Sequence, residues 1–309
     1  MALLKRKLGK TGLNVTQLGF GAMELRGPGV WNGRVISDRE ADEVLNAVLD
    51  SGINFIDVAG CYGIAEESIG KVISARRKEF YLASKCGCVM TAIADGRYDV
   101  THNHDKDTYL RNIDESLRRM KTDYVDIWQL HNPLTTPDSV RPLLETLERV
   151  KTSGKVKHIG ISTTLPYIND FIAMGVFDTF QIPYSCLQPE HHDAIRRAAA
   201  TGAGIIIRGG IGRGGPGART ASKVAVDLYA AAKLDELLPA GMTAPDMILR
   251  YTLTHPDCHT TIIGTLNPAH LQQNIAASLQ GGLEKGLNDE ITARVRSAIQ
   301  RQADATMSS

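Results

Sequence analysis

Short apolar runs alternate with longer amphipathic segments along nearly the whole chain. The run Val125–Trp128 is typical of the first kind, and Ile113, Leu117 and Met120 represent the second, because they recur every three or four positions. The first pattern predicts buried β-strands, and the second predicts helices that pack on one face. The predicted barrel strands end at Gly21, Asp57, Lys85, His131, Ser162, Pro183, Ile207 and Gly264. Regular alternation without a break in composition predicts a single α/β domain over residues 1–309, a (β/α)8 barrel.

Terminal signals mark several helices and two additional elements. Ser37 and Glu40 form a capping box at the start of the first long predicted helix. A proline at the first helical position starts another predicted helix, which spans residues 137 to about 151. We also predict a β-hairpin through Gly12 before the first barrel strand, and a C-terminal extra helix at 289–301.

Charge and hydropathy restrict the class of partner. The 309 residues include 35 basic and 34 acidic side chains, which leave a net charge of +1 and give no reason to expect a nucleic-acid partner. No stretch has the ~18 apolar residues of a transmembrane helix. The basic N-terminal segment is not followed by the apolar core of a signal peptide. We therefore expect a soluble, cytoplasmic protein that acts on a small molecule.

Cysteine and histidine spacing gives no recognisable metal motif. The five cysteines are odd in number and form no Cys-x-x-Cys pair, so buried reduced thiols are expected. His102 and His104 fall in a predicted loop, and His191 and His192 fall at a predicted helix start. We interpret both pairs as solvated polar segments and predict no metal site.

Four polar side chains stand at or just beyond the ends of three consecutive predicted strands. Asp57 ends one strand and is followed by Tyr62, Lys85 ends the next strand, and His131 ends the one after it. Parallel barrel strands deliver such residues to one rim, where barrel enzymes carry their chemistry. A cation beside a phenol lowers its pKa from about 10. The set therefore predicts a tuned general acid with a hydrogen-bond donor for a substrate oxygen, and hydride supplied by a cofactor.

A loop rich in glycine and arginine follows the predicted seventh barrel strand, at 208–219. It satisfies the dinucleotide pattern G-x-G-x-x-G twice, in overlapping registers from Gly210 and from Gly212. Overlap is expected of any glycine-rich loop, and Pro216 fits poorly with a tight phosphate turn. We therefore favour a loop that covers phosphate groups over a Rossmann turn.

Several motifs resemble those of the aldo-keto reductases over essentially the whole chain. The segment Asp57-Val-Ala-Gly-Cys-Tyr62-Gly is similar to the motif after their second strand, and Leu117 to His131 resembles their third helix and fourth strand. Gly160-Ile-Ser-Thr163, Gln181-Ile-Pro-Tyr184 and Ile262-Ile-Gly-Thr265 follow in the family's order. The resemblance implies a barrel that reduces aldehydes or ketones with NAD(P)H. Tyr62 would be the general acid, Lys85 and Asp57 its tuning pair, and His131 the residue that orients the carbonyl.

The same resemblance implies contacts for the cofactor and the substrate. Ser162, Thr163 and Gln181 would hold the carboxamide, and either Tyr184 or Arg208 would lie against the nicotinamide. The implied cofactor set also includes Gly21 near the first strand, Gly210, Gly212 and Arg213 over the pyrophosphate, and Gly264, Thr265, His270, Gln273 and Asn274 at the adenosine end. Met23, Trp31 and Asn132 would line the substrate pocket.

Some positions depart from the common family pattern. Val58 and Gly60 stand where the family often has Thr and Asp, which changes the surroundings of the four central residues. Gly264 and His270 stand where NADPH-preferring members often carry Lys and Arg, the side chains suited to a 2′-phosphate. The resemblance favours NADP(H), and these two positions make NAD(H) a second candidate.

The sequence is also compatible with two other functional classes. A Schiff-base lyase would use Lys85 as its nucleophile, because barrels also place such lysines at strand ends. A non-catalytic cofactor-sensing subunit would keep the fold and the cofactor site. The substrate, the direction of the reaction and the oligomeric state do not follow from the sequence.

Overall fold

Eight parallel strands close into a barrel in the computed structural model, which describes residues 2–133, 136–212, 215–217 and 222–307. Together with the four strands of two hairpins, the strands of the described residues are β1 (Lys5–Lys7), β2 (Asn14–Thr16), β3 (Leu18–Gly21), β4 (Phe55–Asp57), β5 (Tyr81–Cys86), β6 (Cys88–Ala92), β7 (Tyr98–His102), β8 (Val125–His131), β9 (Val156–Ser162), β10 (Thr179–Pro183), β11 (Gly204–Arg208) and β12 (Thr260–Ile263). The barrel order is β3-β4-β5-β8-β9-β10-β11-β12, and β12 pairs with β3. The predicted (β/α)8 barrel is confirmed.

The helices surround the barrel and connect its strands. They are α1 (Asp38–Asp50), α2 (Ala65–Val72), α3 (Lys106–Met120), α4 (Pro137–Val140), α5 (Leu144–Thr152), α6 (Ile168–Met174), α7 (His192–Ala200), α8 (Lys223–Ala231), α9 (Ala244–Thr254), α10 (Pro268–Leu279) and α11 (Lys285–Met307). A short 3-10 segment at Ala22–Arg26 follows β3, and another at Pro189–His191 directly precedes α7. Within the described ranges, no helix combines the length and apolar character needed to cross a bilayer.

Helix ends follow the local chemistry, with two differences from the prediction. Ser37 accepts from the N–H of Glu40 and completes the predicted capping box of α1. The helix predicted at 137–151 is instead divided into α4, a 3-10 turn at Arg141–Leu143, and α5. Pro142 explains the division, because it lacks an N–H and its ring clashes with the preceding turn. The extra helix predicted at 289–301 is longer, since α11 spans Lys285–Met307.

The N-terminal hairpin closes the end of the barrel opposite the predicted site. Strands β1 and β2 pair antiparallel, and Gly12 between them has a φ of 76°. Leu8 is fully buried in a cluster with Phe55 and Ile206 from the barrel interior. The N–H of Lys10 donates to the carbonyl of Gly202, just before β11 begins. The carboxyl ends of the strands are therefore left as the open rim.

A second hairpin, absent from the prediction although Asp95-Gly96 is a hairpin signal, follows β5 at this rim. Strands β6 and β7 pair antiparallel, with Cys88 opposite His102. Gly87 makes the step from β5 into β6 with a φ of 87°. The prediction that His102 lies in a solvated loop is wrong, because it ends β7 and is half-buried. The same interpretation fails for His191, which is buried and hydrogen-bonded to Thr164 at 2.8 Å.

Candidate active site

The rim brings three of the four predicted central residues into direct contact. Lys85, at the end of β5, is 0% exposed, and its Nζ donates to Asp57 Oδ2 at 2.6 Å. The same nitrogen donates to the carbonyl of Val58 at 2.9 Å and lies 3.4 Å from the Tyr62 hydroxyl. Burial is the largest single effect and would lower the pKa of Lys85, but the neighbouring charges and the hydrogen bond to Asp57 together outweigh it, so the pKa is raised. The side chain is therefore a fixed ammonium group between a carboxylate and a phenol.

The other carboxylate oxygen of Asp57 is held by two amides. Gln129 Nε2 donates to Asp57 Oδ1 at 2.9 Å, and Gln181 Nε2 donates to it at 2.7 Å. Gln181 Oε1 in turn accepts from Ser162 Oγ at 2.9 Å. A buried carboxylate needs such partners, since an unpaired one is costly. Gln129 was missed in the sequence, although the period of two along β8 puts it on the same face as His131.

Tyr62 is positioned by the turn between β4 and α2. Its N–H donates to the carbonyl of Ala59 at 2.9 Å, and Gly63 follows with a φ of 50°. A side chain at Gly63 would place its Cβ 2.0 Å from the carbonyl oxygen of Arg26, so the turn requires glycine. Burial raises the pKa of Tyr62 to about 12, and Lys85 opposes that rise without overcoming it. The lowered pKa expected from the sequence is therefore not observed, and the phenol keeps its proton at neutral pH.

His131 joins the set through an edge-to-face contact with the ring of Tyr62. It ends β8, and its ring centroid lies 6.0 Å from that of Tyr62 at an interplanar angle of 78°. Burial lowers the pKa of His131. Its Nδ1 faces away from solvent, 3.5 Å from Cys61 Sγ, 3.2 Å from Cys88 Sγ and 3.1 Å from His102 Nε2.

The residues implied for the nicotinamide end lie on neighbouring strands β9, β10 and β11. Ser162 and Thr163 are buried, and the Thr163 hydroxyl has no hydrogen-bond partner within the described part of the chain. Tyr184 is buried against Tyr251 and His255. Arg208 ends β11 and is half-buried. Of the implied nicotinamide residues, Gln181 contacts Asp57 directly and Ser162 contacts Gln181.

The residues implied for the phosphate and adenosine ends are brought near the same edge. Gly264 directly follows β12 and lies against the end of β3. A Cβ at this position would lie 2.6 Å from the carbonyl oxygen of Gly21. Thr265 is buried, and His270 and Gln273 are exposed on α10 with Asn274 half-buried beside them. Gly210 and Gly212 begin the glycine-rich loop after β11, whereas Arg213 lies outside the described residues.

The three residues implied for the substrate pocket differ in how closely they approach Tyr62. Trp31 is half exposed, and its ring centroid lies 6.0 Å from that of Tyr62. Asn132 directly follows His131, with a φ of 47° and its N–H donating to the carbonyl of Ser162. Met23 lies on the 3-10 segment after β3 and is 40% exposed. Only Trp31 shows a direct ring contact with Tyr62 among these three.

The barrel fold agrees with comparison to known proteins. The model of the Aldo/keto reductase family matches residues 17–295, and the chain belongs to this family. It is 27% identical over 291 residues to the uncharacterized oxidoreductase YqkF of Bacillus subtilis (strain 168), covering 89% of this chain and 90% of that one. It is also 27% identical to the L-galactose dehydrogenase of Arabidopsis thaliana, covering 96% and 94%.

Two further similarities are to a curated relative and to a solved structure. The NADH-specific methylglyoxal reductase of Escherichia coli (strain K12) is 25% identical, over 88% of this chain and 93% of that protein. The solved holo form of the aldo-keto reductase AKR11C1 from Bacillus halodurans superimposes with a TM-score of 0.81 at 26% identity, covering 94% of this chain and 96% of that one. The chain is thus an oxidoreductase-family barrel along nearly its full length.

Proposed function

We propose that the protein is an NAD(P)H-dependent reductase of an aldehyde or ketone, or a dehydrogenase of the matching alcohol or sugar. The observation that carries this proposal is the buried Lys85 ammonium, held at 2.6 Å from the Asp57 carboxylate and 3.4 Å from the Tyr62 phenol. Membership of the aldo/keto reductase family supports the general activity. The relatives that act on a sugar and on a small dicarbonyl support the proposed substrate class.

The side chains at the carboxyl ends of β9 to β12 fit a nicotinamide cofactor. The buried Thr163 hydroxyl lacks a protein partner within the described residues, as expected if a bound amide supplies one. The N–H of Thr163 donates to the carbonyl of Gln181 at 3.2 Å, and Tyr184 and Arg208 stand at the ends of β10 and β11. A cofactor bound there would supply hydride to a carbonyl carbon, or accept it from an alcohol.

Each of the four central residues has a distinct role in this proposal. In the reducing direction, the Tyr62 hydroxyl donates its proton to the substrate oxygen as negative charge develops there. The Lys85 ammonium stabilises the phenolate that remains, and Asp57 keeps that ammonium in place. His131 hydrogen-bonds the substrate oxygen and fixes its direction. In the oxidising direction the proton returns to Tyr62 by the same path.

The geometry disfavours the Schiff-base alternative. A nucleophilic lysine must be a neutral amine with an accessible nitrogen. Lys85 is fully buried, is engaged by Asp57 and the Val58 carbonyl, and has a raised pKa. A proton donor tuned by a fixed cation suits this environment better than an amine nucleophile.

The test is turnover by the wild-type protein with both cofactors. NADH and NADPH are first titrated by fluorescence, and each is then supplied with a panel of aldehydes, ketones and aldoses. We expect saturable cofactor binding and carbonyl-dependent oxidation of at least one cofactor. Tight binding without turnover on the whole panel would instead favour the cofactor-sensing subunit, and trapping of substrate on Lys85 by borohydride would favour the lyase.

The adenosine end offers a prediction on the choice of cofactor. NADP(H) is favoured by family resemblance, but the exposed His270 on α10 and the tightly packed Gly264 provide no fixed cation for a 2′-phosphate. We expect His270→Arg to increase affinity for NADPH relative to NADH about 10-fold, because a guanidinium binds phosphate through paired charge-assisted hydrogen bonds. The ratio of dissociation constants from fluorescence titration measures the effect.

The matched control for this change is His270→Gln, which alters size and polarity without adding a charge. It should leave the ratio of the two affinities within about 2-fold, since it offers no ion pair. If His270→Arg also leaves the ratio unchanged, the assignment of α10 to the adenosine end is wrong. Substitution of Gly264 is a poorer test, because any Cβ there collides with the Gly21 carbonyl.

A further inference from the structure

Four metal-ligating side chains meet directly behind the proposed catalytic rim. Cys61, Cys88, His102 and His131 each direct one ligand atom to a common point, with all four atoms within 4.8 Å of one another. The measured separations are 3.0 Å between the two sulfurs, 3.1 Å between the two imidazole nitrogens, and 3.2 and 3.5 Å from His131 Nδ1 to the sulfurs of Cys88 and Cys61. The proposed hydride transfer gives no role to Cys61, Cys88 or His102.

These separations are close to those of a tetrahedral ligand set. Zinc bonds of about 2.3 Å to sulfur and about 2.0 Å to nitrogen put the ligand atoms of a tetrahedron about 3.3–3.8 Å apart. The separations that involve His131 Nδ1 are within about 0.3 Å of these figures, whereas the two sulfurs, 3.0 Å apart, would separate on binding the ion. A simple cysteine pair would not explain why two imidazoles approach the same point edge to face, with centroids 4.5 Å apart at 85°.

The fold holds the ligands from three separate elements. Cys61 lies in the turn after β4, and His131 ends β8. Cys88 and His102 face each other across the β6–β7 hairpin, so one cross-strand pair supplies two ligands. The carbonyl of Cys88 also accepts from Asn112 on α3 at 3.0 Å, which fixes the start of the hairpin. Such support from outside the ligand set is typical of metal sites.

We propose that these four residues bind one Zn²⁺ ion in a closed Cys2His2 site. Two thiolates and two neutral imidazoles cancel the charge of the ion, and this mixture of sulfur and nitrogen ligands is one that zinc prefers. Binding releases the two thiol protons, so no oxidant or reductant is needed. The ion would attach the hairpin to the barrel rim beside Tyr62.

One consequence rests on the proposed function. Coordination through Nδ1 of His131 leaves its ring proton on Nε2, which then acts only as a donor. A donor is what a substrate carbonyl oxygen requires. In this arrangement the zinc ion, Cys88 and His102 are positioning elements that act through His131, and none of them touches the reacting atoms.

The first measurement is the zinc content of protein purified without chelators or a metal-affinity column. We expect about one zinc per chain by elemental mass spectrometry. In Cys88→Ser and His102→Gln, zinc affinity should fall at least about 100-fold, since loss of a ligand should exceed the 10–100-fold effect of outer-shell changes. Replacement of zinc by Co²⁺ should give a thiolate-to-cobalt charge-transfer band that both variants lack.

Two further variants separate ligation from a merely structural role. His102→Glu supplies a carboxylate oxygen with about the same reach as the imidazole Nε2 and should restore zinc and the cobalt band, whereas the uncharged His102→Gln should not. Cys258→Ala removes a buried thiol that lies outside the cluster and should keep the full zinc content. In His102→Gln, kcat/KM for the carbonyl should fall about 10-fold or more while affinity for the cofactor is retained, as expected for a change in the orientation of His131.

Several outcomes would overturn the zinc site. Wild-type protein that contains no zinc and takes up neither Zn²⁺ nor Co²⁺ would do so, as would a Cys61–Cys88 disulfide found by intact mass in zinc-free protein. Retention of zinc by both Cys88→Ser and His102→Gln would also contradict it. These results are independent of the proposed function. A zinc-free wild type that reduces carbonyls would contradict only the metal site, and a zinc-bound wild type without turnover would contradict only the reductase.

Discussion

Tyr62→Phe is expected to reduce kcat/KM for carbonyl reduction by about 10²–10⁴-fold, the usual contribution of a positioned general acid. The substitution removes only the hydroxyl that lies 3.4 Å from Lys85 Nζ and leaves the ring that packs beside Trp31 and His131. Binding of NADH or NADPH should be retained, because Tyr62 is not among the residues implied for the cofactor. Steady-state kinetics and fluorescence titration of the same preparation measure both quantities.

Tyr229→Phe is a matched control for the loss of a hydroxyl. Tyr229 is buried on α8, and its hydroxyl bonds to Asp235 away from the rim. It should retain activity within about 2-fold, even if stability falls by the ~1 kcal/mol typical of one lost hydrogen bond. Full activity in Tyr62→Phe would show that Tyr62 is not the proton donor and that another acid at the rim supplies the proton.

Lys85→Met is expected to destabilise the fold as well as abolish turnover. The change keeps the length of the side chain but removes the partner of the buried Asp57 carboxylate. Leaving one member of a buried ion pair uncompensated costs about 3–5 kcal/mol, despite the two amide donors that still reach Asp57 Oδ1. Denaturant unfolding measures the free energy of unfolding, and the kinetic assay measures the loss of activity.

The double variant Asp57→Asn/Lys85→Met distinguishes the two effects. It removes both charges, so it should recover a large part of the lost stability while activity stays low. A double variant no more stable than Lys85→Met would show that the cost comes from packing rather than from the unpaired carboxylate. An active double variant would contradict the role of the ammonium in stabilising the phenolate.

Much of the architecture was predictable because it depends on local pattern. Alternation of strand and helix periods indicated the barrel, and parallel strands necessarily bring their carboxyl ends to one edge. That rule was enough to predict that Asp57, Lys85 and Tyr62 would lie together. The interruption at Arg141–Leu143 also has a local cause, because Pro142 stands inside the predicted helix.

The balance of forces at the rim could not be obtained from local pattern. The sequence indicated that Lys85 would lower the pKa of Tyr62, but burial has the larger effect and the pKa rises to about 12. Desolvation depends on every group packed around the phenol, and those groups come from several strands. The hydrogen bond from Gln129 to Asp57 could not be predicted for the same reason, because the two residues are 72 positions apart in the sequence.

The sequence by itself determined the barrel, the strand ends that carry the central residues and the family to which the chain belongs. Only the tertiary structure decided which residues meet across long separations. Cys61, Cys88, His102 and His131 have no short-range spacing that marks a metal site. Asp95-Gly96 is a local signal for the β6–β7 hairpin, but it does not show that this hairpin brings Cys88 and His102 to His131. Their convergence depends on the closure of the barrel and on the position of that hairpin, which are set by packing over the whole chain.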